Sequence, residues 1–206
     1  MKYEKYKTNG WGLSELALIK INELISNNKN KTVKVIEFGS GKSTEFLVDL
    51  NNESDKKILI TSFDNDPNWA YKPKTDDGVN LLMRSLVECS DEVYELMFKE
   101  KTYDRSKMNV KKTALTTRQK NNFYDVKEGD ISGKYDLMVL DGPNGNGRNF
   151  SFLHMKGHMK SGGHILVDDY THYDFVERML TIFDGELLFE DNDKTSQGVF
   201  VIYKIK

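Results

Sequence analysis

Two rhythms of apolar residues alternate along this chain. Between residues 14 and 26, Leu16, Ile19, Leu24 and Ile25 recur at helical spacing, and the polar stretch 27–31 ends the pattern. Residues 33–38 (VKVIEF) form a short apolar run that reads as a buried strand. It closes on the turn Gly39-Ser40-Gly41, after which Phe46, Leu47 and Leu50 fall on one side of a helix. Residues 58–63 predict a second buried strand ending at Asp64, and Asp66-Pro67 predicts an N-cap with proline at the first helical position. Residues 135–140 (YDLMVL) predict a strand ending at Asp141, followed by the glycine-rich loop DGPNGNGR and a helix over 150–160. Gly162-Gly163 then turns the chain into a strand over 164–167 that ends in Asp168-Asp169. A helix over 175–183 precedes two closing strands, 186–190 and 198–203, an antiparallel pair around the loop 191–197. The stretch 72–108 is less regular. Its pattern predicts helices near 79–88 and 91–99, with a third strand over 109–115.

Alternation of this kind predicts an α/β chain: a Rossmann-like, doubly wound, mainly parallel sheet with a C-terminal antiparallel strand pair. No internal repeat interrupts it, so residues 1–206 read as one domain with a helical and basic insertion around 72–120. Five acids fall at or just past strand ends: Glu37, Asp64, Asp141, Asp168 and Asp169. In such a sheet these ends line one edge, where ligands bind. One acid there is a helix cap as readily as a ligand group, but caps explain five together poorly.

The glycine turn admits two nucleotide-binding readings. GSGKST looks like the tail of a triphosphate-binding loop, which needs a glycine five residues before its Gly-Lys pair. Here that position is Ile36, inside the strand, so the loop is too short to wrap a triphosphate. A short glycine turn with an acid at the strand end suits S-adenosylmethionine, and Glu37 with Gly39-Ser40-Gly41 fits that form. An ordinary strand-to-helix turn is the plain alternative.

Composition narrows the class. The chain has 206 residues, a net charge of −2 and one cysteine, Cys89, so it holds no intrachain disulfide framework and no cysteine-rich zinc motif. The N-terminal stretch lacks the apolar core of a signal peptide, and no run approaches the ~20 apolar residues of a membrane span. A soluble, cytoplasmic protein with no membrane partner is the expectation.

The ordered set IEFGSGKST, SFDNDPNWA, YDLMVLDGP and SGGHILVDDY, closed by a strand pair, resembles the class I S-adenosylmethionine-dependent methyltransferases over roughly residues 12–205. The resemblance implies that Asp64 takes the cofactor's ribose hydroxyls, since a carboxylate accepts hydrogen bonds from both. It implies that Gly39, Ser40 and Gly41 line the cofactor and that Glu37 supports the turn or the methionine amino group. The pattern is nearest to small O-methyltransferase-like members. In their metal-dependent relatives, acids matching Asp141, Asp168 and Asp169 hold magnesium, a cation suited to hard oxygen ligands. Those enzymes commonly carry Asp-Asn where this chain has Asp168-Asp169, and the loop 142–147 is nearer to the DGP loops of uncharacterised or sugar-modifying relatives. A metal-free site, with Asp141, Asp169 or His172 as general base, therefore stands beside the Mg2+ reading.

The implied reaction moves a sulfonium methyl to an oxygen of a small-molecule or sugar-type acceptor. A non-catalytic cofactor-binding regulator of the same fold and a nucleotide hydrolase are the alternatives. Residues 99–120 carry eight basic side chains against Glu100 and Asp104, either a solvated face or a cover for an anionic acceptor. Nucleic acid is the less favoured acceptor: amino-methyltransferases of nucleic acids carry an Asn/Asp-Pro-Pro-aromatic loop where this chain has Asp141-Gly142-Pro143-Asn144. His172 reads as a base or a solvated loop residue, and Arg148 as an acidic-substrate contact or a surface residue at a helix start. Trp11 and Trp69 suit stacking on adenine or core packing. His154, His158 and His164 read as structural or surface residues.

Overall fold

The computed structural model of the chain describes residues 3–8, 12–110, 121–191 and 199–206. In chain order the elements are α1 (Glu15–Ser26), β1 (Thr32–Phe38), α2 (Lys42–Glu53), β2 (Lys57–Asp64), β3 (Val79–Met83), β4 (Leu86–Glu88) and α3 (Asp91–Glu100). There follow β5 (Asn109–Val110), β6 (Asn122–Tyr124), β7 (Tyr135–Leu140), α4 (Phe150–Met155), β8 (Met159–Asp168), α5 (Phe175–Ile182), β9 (Gly185–Glu190) and β10 (Phe200–Ile205).

Seven strands form one sheet in the order β3-β2-β1-β7-β8-β10-β9. The first five are parallel, and β10 runs antiparallel between β8 and β9, which gives the expected C-terminal pair. Strand alternation sends Val33, Val35, Ile58, Ile60, Leu137 and Val139 to one face, packed on Ala17, Ile21 and Ile25 of α1 and Phe46, Leu47 and Leu50 of α2. Ile36, Phe38, Phe63, Met138, Leu140 and Ile165 line the other face, against Tyr94 and Phe98 of α3, Phe152 of α4 and Met179 of α5. The sheet is thus covered on both sides, and its order reverses between β1 and β7. That is the switch point where such sheets open a crevice at their carboxyl ends.

Five local expectations fail. Residues 79–88 are not helical: they form β3 and β4. Edge strand β3 is only half-buried, so burial does not impose a clean alternation on it, and the helical spacing of Leu82, Leu86 and Val87 is overridden by parallel pairing of β3 with β2 and antiparallel pairing of β4 with β5 and β6. The third parallel strand is consequently β3. Of the expected strand at 109–115, Asn109 and Val110 form β5 in a separate sheet, β5-β4-β6, and the remainder lies outside the described residues. Asp66-Pro67 starts one turn rather than a helix. The Asp66 carbonyl accepts the N–H groups of Trp69 and Ala70, but the next N–H, that of Tyr71, donates to Ser40 Oγ at 3.0 Å. Helix α4 stops at Met155, ahead of Gly157 at φ +83°, and Gly162-Gly163 lies inside β8 rather than before it.

Candidate functional site

The turns after β1 and β7 are pressed together at the switch point. Phe38 O accepts the N–H groups of Asp141 and Gly142, at 2.9 and 2.6 Å. Gly39 has φ +95°, and a Cβ there would lie 2.8 Å from the Gly142 nitrogen. Only glycine meets both demands.

Behind this junction two carboxylates brace the turn. Glu37 is fully buried and accepts hydrogen bonds from the hydroxyls of Ser43, Thr44 and Ser62. Burial pushes its carboxyl up to about 7, against the opposing pull of those hydroxyls. Ser43 and Thr44, which in a triphosphate loop would face phosphate and metal, are therefore spent on Glu37, while Lys42 pairs with Glu45 at the surface. Asp64 accepts four hydrogen bonds. Ser40 N and Ser40 Oγ donate to Oδ2 at 2.9 and 2.8 Å, and the N–H groups of Asn65 and Asp66 donate to Oδ1 at 2.7 and 2.9 Å.

A cavity of about 610 Å³ opens above the turn. Ser40, Gly41 and Ser43 at the start of α2 form part of its wall, together with Trp69 and Tyr71 beyond β2 and Asp141 beyond β7. Tyr6, Thr8 and Gly12 of the N-terminal segment close another side. That segment is held by Tyr6, which packs edge-on against Phe46 at 5.3 Å and donates its hydroxyl to Asp49 at 2.7 Å. The site that a Cβ would take on Gly12 is 3.7 Å from Asp141 Oδ2, so the segment reaches the β7 acid.

The acids after β7 and β8 are arranged differently from the first pair. Asp168 is buried, and its Oδ1 has no hydrogen-bond partner. Burial, and then the negative charges of Asp141 and Asp169, hold its carboxyl well above the usual range. Asp141 is also raised by burial, opposed by the Arg148 guanidinium, and the two carboxyls lie close enough to share a proton. Asp169 adopts φ +55° and turns its carboxylate toward Arg148, with Nη1 to Oδ2 at 3.6 Å.

No protein-family model and no curated protein matches the sequence. Solved structures match in shape. Precorrin-6y C5,15-methyltransferase from Geobacter metallireducens is similar at TM-score 0.55 and 12% identity, covering 97% of this chain and 93% of that one. An O-methyltransferase from Streptomyces achromogenes, involved in tomaymycin synthesis and solved in complex with SAM, gives TM-score 0.53 at 10% identity over 99% of this chain and 86% of that one. A 16S rRNA methyltransferase from T. thermophilus, in complex with AdoMet and guanosine, gives 0.51 at 11% over 97% of this chain and 44% of that one.

The fold is that of class I S-adenosylmethionine-dependent methyltransferases. At these identities the likeness speaks for the fold, and function must be argued from the site.

Within this methyltransferase fold, the expected site residues separate into groups. Ser40, Gly41 and Asp141 meet at the cavity, while Glu37, Gly39 and Asp64 form the layer behind it. Among the described residues, no three His, Cys, Asp or Glu side chains are grouped to hold a metal ion. The expected Mg2+ set of Asp141, Asp168 and Asp169 is therefore not assembled as ligands. Arg148 is not a surface residue: it is buried and lies among these acids. His172 is 61% exposed at its side chain, with Nδ1 3.8 Å from Asp169 Oδ2, too far for a hydrogen bond. His154 is half-buried between Tyr103 and Phe123, where desolvation lowers its pKa to about 3. Arg105 and Lys107 of the basic stretch pair with Asp125 and Asp104, whereas residues 111–120 and Trp11 lie outside the described residues. The N-terminal wall was not foreseen. Tyr6 and Gly12 sit in a polar stretch with no periodicity, and only tertiary packing reveals their place. Among the described residues no helix is long and apolar enough to cross a membrane.

Proposed function

We propose that this chain is an S-adenosylmethionine-dependent methyltransferase that methylates an oxygen of a small anionic acceptor. The observation that carries the reading is the Gly39–Gly41 turn at the β1/β7 switch point, opening on a cavity of about 610 Å³ with Asp141 in its wall. The residues fit the cofactor. Gly41, at φ +145°, leaves the wall without a side chain, and α2 begins at that wall, so its N-terminal dipole faces a carboxylate bound there. Asp64 would take the ribose hydroxyls in exchange for its bond from Ser40 Oγ. When bound, S-adenosylmethionine supplies a methyl group on a sulfonium and is left as S-adenosylhomocysteine.

Asp141 takes the proton. As the acceptor hydroxyl oxygen bonds to the methyl carbon, its proton passes to a carboxylate whose burial makes it a stronger base than ordinary aspartate. Binding acceptor and cofactor side by side supplies most of the remaining acceleration, through alignment. Lys7, Lys42, Lys72 and Lys74 also line the cavity, against the acids Glu45 and Asp141, and this balance favours a carboxylate- or phosphate-bearing acceptor such as a uronic or phosphorylated sugar. Among the described residues, the carboxylates after β7 and β8 are not grouped as metal ligands.

Calorimetry tests the reading. S-adenosylhomocysteine should bind to the wild type, and Asp64→Ala should weaken it by roughly 1.5–3 kcal/mol, the loss of hydrogen bonds to a charged acceptor. Tight ATP binding with no response to either adenosyl compound would overturn it.

A further inference from the structure

We propose that Arg148 is the built-in cation of the acid cluster after β7 and β8, standing where a divalent ion would otherwise be needed, so that this site binds none. Three carboxylates gathered near one point repel one another unless a positive charge or a shared proton intervenes. Here the positive charge is the guanidinium of Arg148, with Nη1 3.6 Å from Asp169 Oδ2 and donating to the carbonyl of Asp168.

The guanidinium is fixed from several directions. Nε donates to Pro143 O at 2.7 Å, which ties it to the loop after β7. Nη1 donates to the carbonyl of Asp168 at 3.4 Å, which ties it to the end of β8. The same Nη1 lies 3.6 Å from Asp169 Oδ2, and the Phe175 ring covers the guanidinium at 5.9 Å. Arg148 is only 5% exposed. A buried arginine with these anchors bridges the two strand ends that supply the acids.

A divalent ion at the same place would have to displace the guanidinium. Magnesium demands near-octahedral oxygen ligation at about 2.0–2.1 Å with room for waters, and with Arg148 among them the acids are not grouped that way among the described residues. The left-handed backbone of Asp169 aims its carboxylate at the guanidinium. His172, 3.8 Å from that carboxylate, is the other basic group facing it. Arg148 is thus a positioning residue that holds the β7 loop and compensates the acids, leaving Asp141 to face the cavity.

This inference concerns cation binding and does not rest on which acceptor is methylated. The test titrates the full-length protein with Mn2+, read by calorimetry and by the electron-paramagnetic resonance of the free ion. Wild type should show no saturable site. Arg148→Met, which removes the charge and keeps an apolar side chain, should gain a site at least about tenfold tighter, within the range by which neighbouring groups tune metal affinity. Asp168→Asn added to Arg148→Met should abolish that gain. Saturable Mn2+ binding by the wild type that Asp168→Asn abolishes overturns the proposal, and so does a folded Arg148→Met that gains nothing. Should Arg148→Met not fold, the wild-type titration and its Asp168→Asn control decide alone. Failure here leaves the methyltransferase reading intact, because S-adenosylhomocysteine binding is measured separately.

Discussion

Two pairs of strand ends in this sheet carry carboxylates, and they use them in opposite ways. At the ends of β1 and β2, Glu37 and Asp64 are supplied with donors: three hydroxyls for the first, two backbone N–H groups plus both donors of Ser40 for the second. At the ends of β7 and β8, Asp168 is just as buried but has an oxygen with no partner, and it shares one guanidinium with its neighbours. Burying a carboxylate is costly in both places. The first pair spends most of that cost on rigidity, the Ser40 Oγ bond to Asp64 being the one that the proposed cofactor would exchange. The second keeps charge under tension next to the cavity, an arrangement typical of groups that exchange protons. An acid at the carboxyl edge is therefore not by itself a working residue. The number of donors already committed to it separates frame from chemistry.

The strongest way to break the comparison is at the joint between the two halves. Gly39→Ala places a methyl group 2.8 Å from the Gly142 nitrogen and 3.1 Å from the Asp141 carbonyl carbon, at φ +95°. Both obstacles are backbone and neither can swing aside. Urea unfolding should show a loss of roughly 2–4 kcal/mol, in the upper range for a single substitution. A loss below about 1 kcal/mol would mean that the two turns separate freely and do not form one edge.

How far the sequence announced this arrangement depends on the element. β1, β2, β7 and β8 were legible because central strands buried on both faces are nearly unbroken apolar runs, while β10 and the exposed edge strand β9 were read as a pair of short apolar runs around the loop 191–197. Edge strand β3 was not, since half of its surface meets solvent and Leu82, Leu86 and Val87 fall at helical spacing. The acids were legible as an edge, but their division into frame and chemistry was not. That division depends on Ser40, Ser43, Thr44 and Ser62 converging from three segments. Arg148 carried a signal in the need for a cation among three aspartates, yet its place beside a helix start resembles that of any solvated arginine. The N-terminal wall of the cavity left no periodic trace.

Glu37 sharpens the comparison through pH. Its carboxyl is raised from 4.5 to about 7 in the folded protein. The folded state therefore binds a proton more tightly than the unfolded chain, and stability falls as pH rises through that window. Relative to Glu37→Gln, which cannot ionise, wild type should lose on the order of 3 kcal/mol between these two pH values. Denaturant midpoints measured for both proteins across the window check this. A constant difference would show that Glu37 stays ionised in the fold and that its three hydroxyl donors outweigh its burial.

The smallest expected effect decides which acid does the work. His172 is largely exposed, and its side chain is 3.8 Å from the nearest carboxylate oxygen, so His172→Ala should change stability by no more than about 0.5 kcal/mol. If Asp141 is the base, His172→Ala should also leave the methyl-transfer rate within about twofold of wild type, whereas Asp141→Asn should lower it by roughly 10²–10⁴, the usual worth of a general base. The acid limb of the pH–rate profile should then be the same in wild type and in His172→Ala, because the ionising group is untouched. A loss of about 10² on removing His172, with the acid limb gone, would move the base to the loop beyond β8. Asp169 would then serve to orient an imidazole, and Asp141 would join Glu37 and Asp64 in the frame.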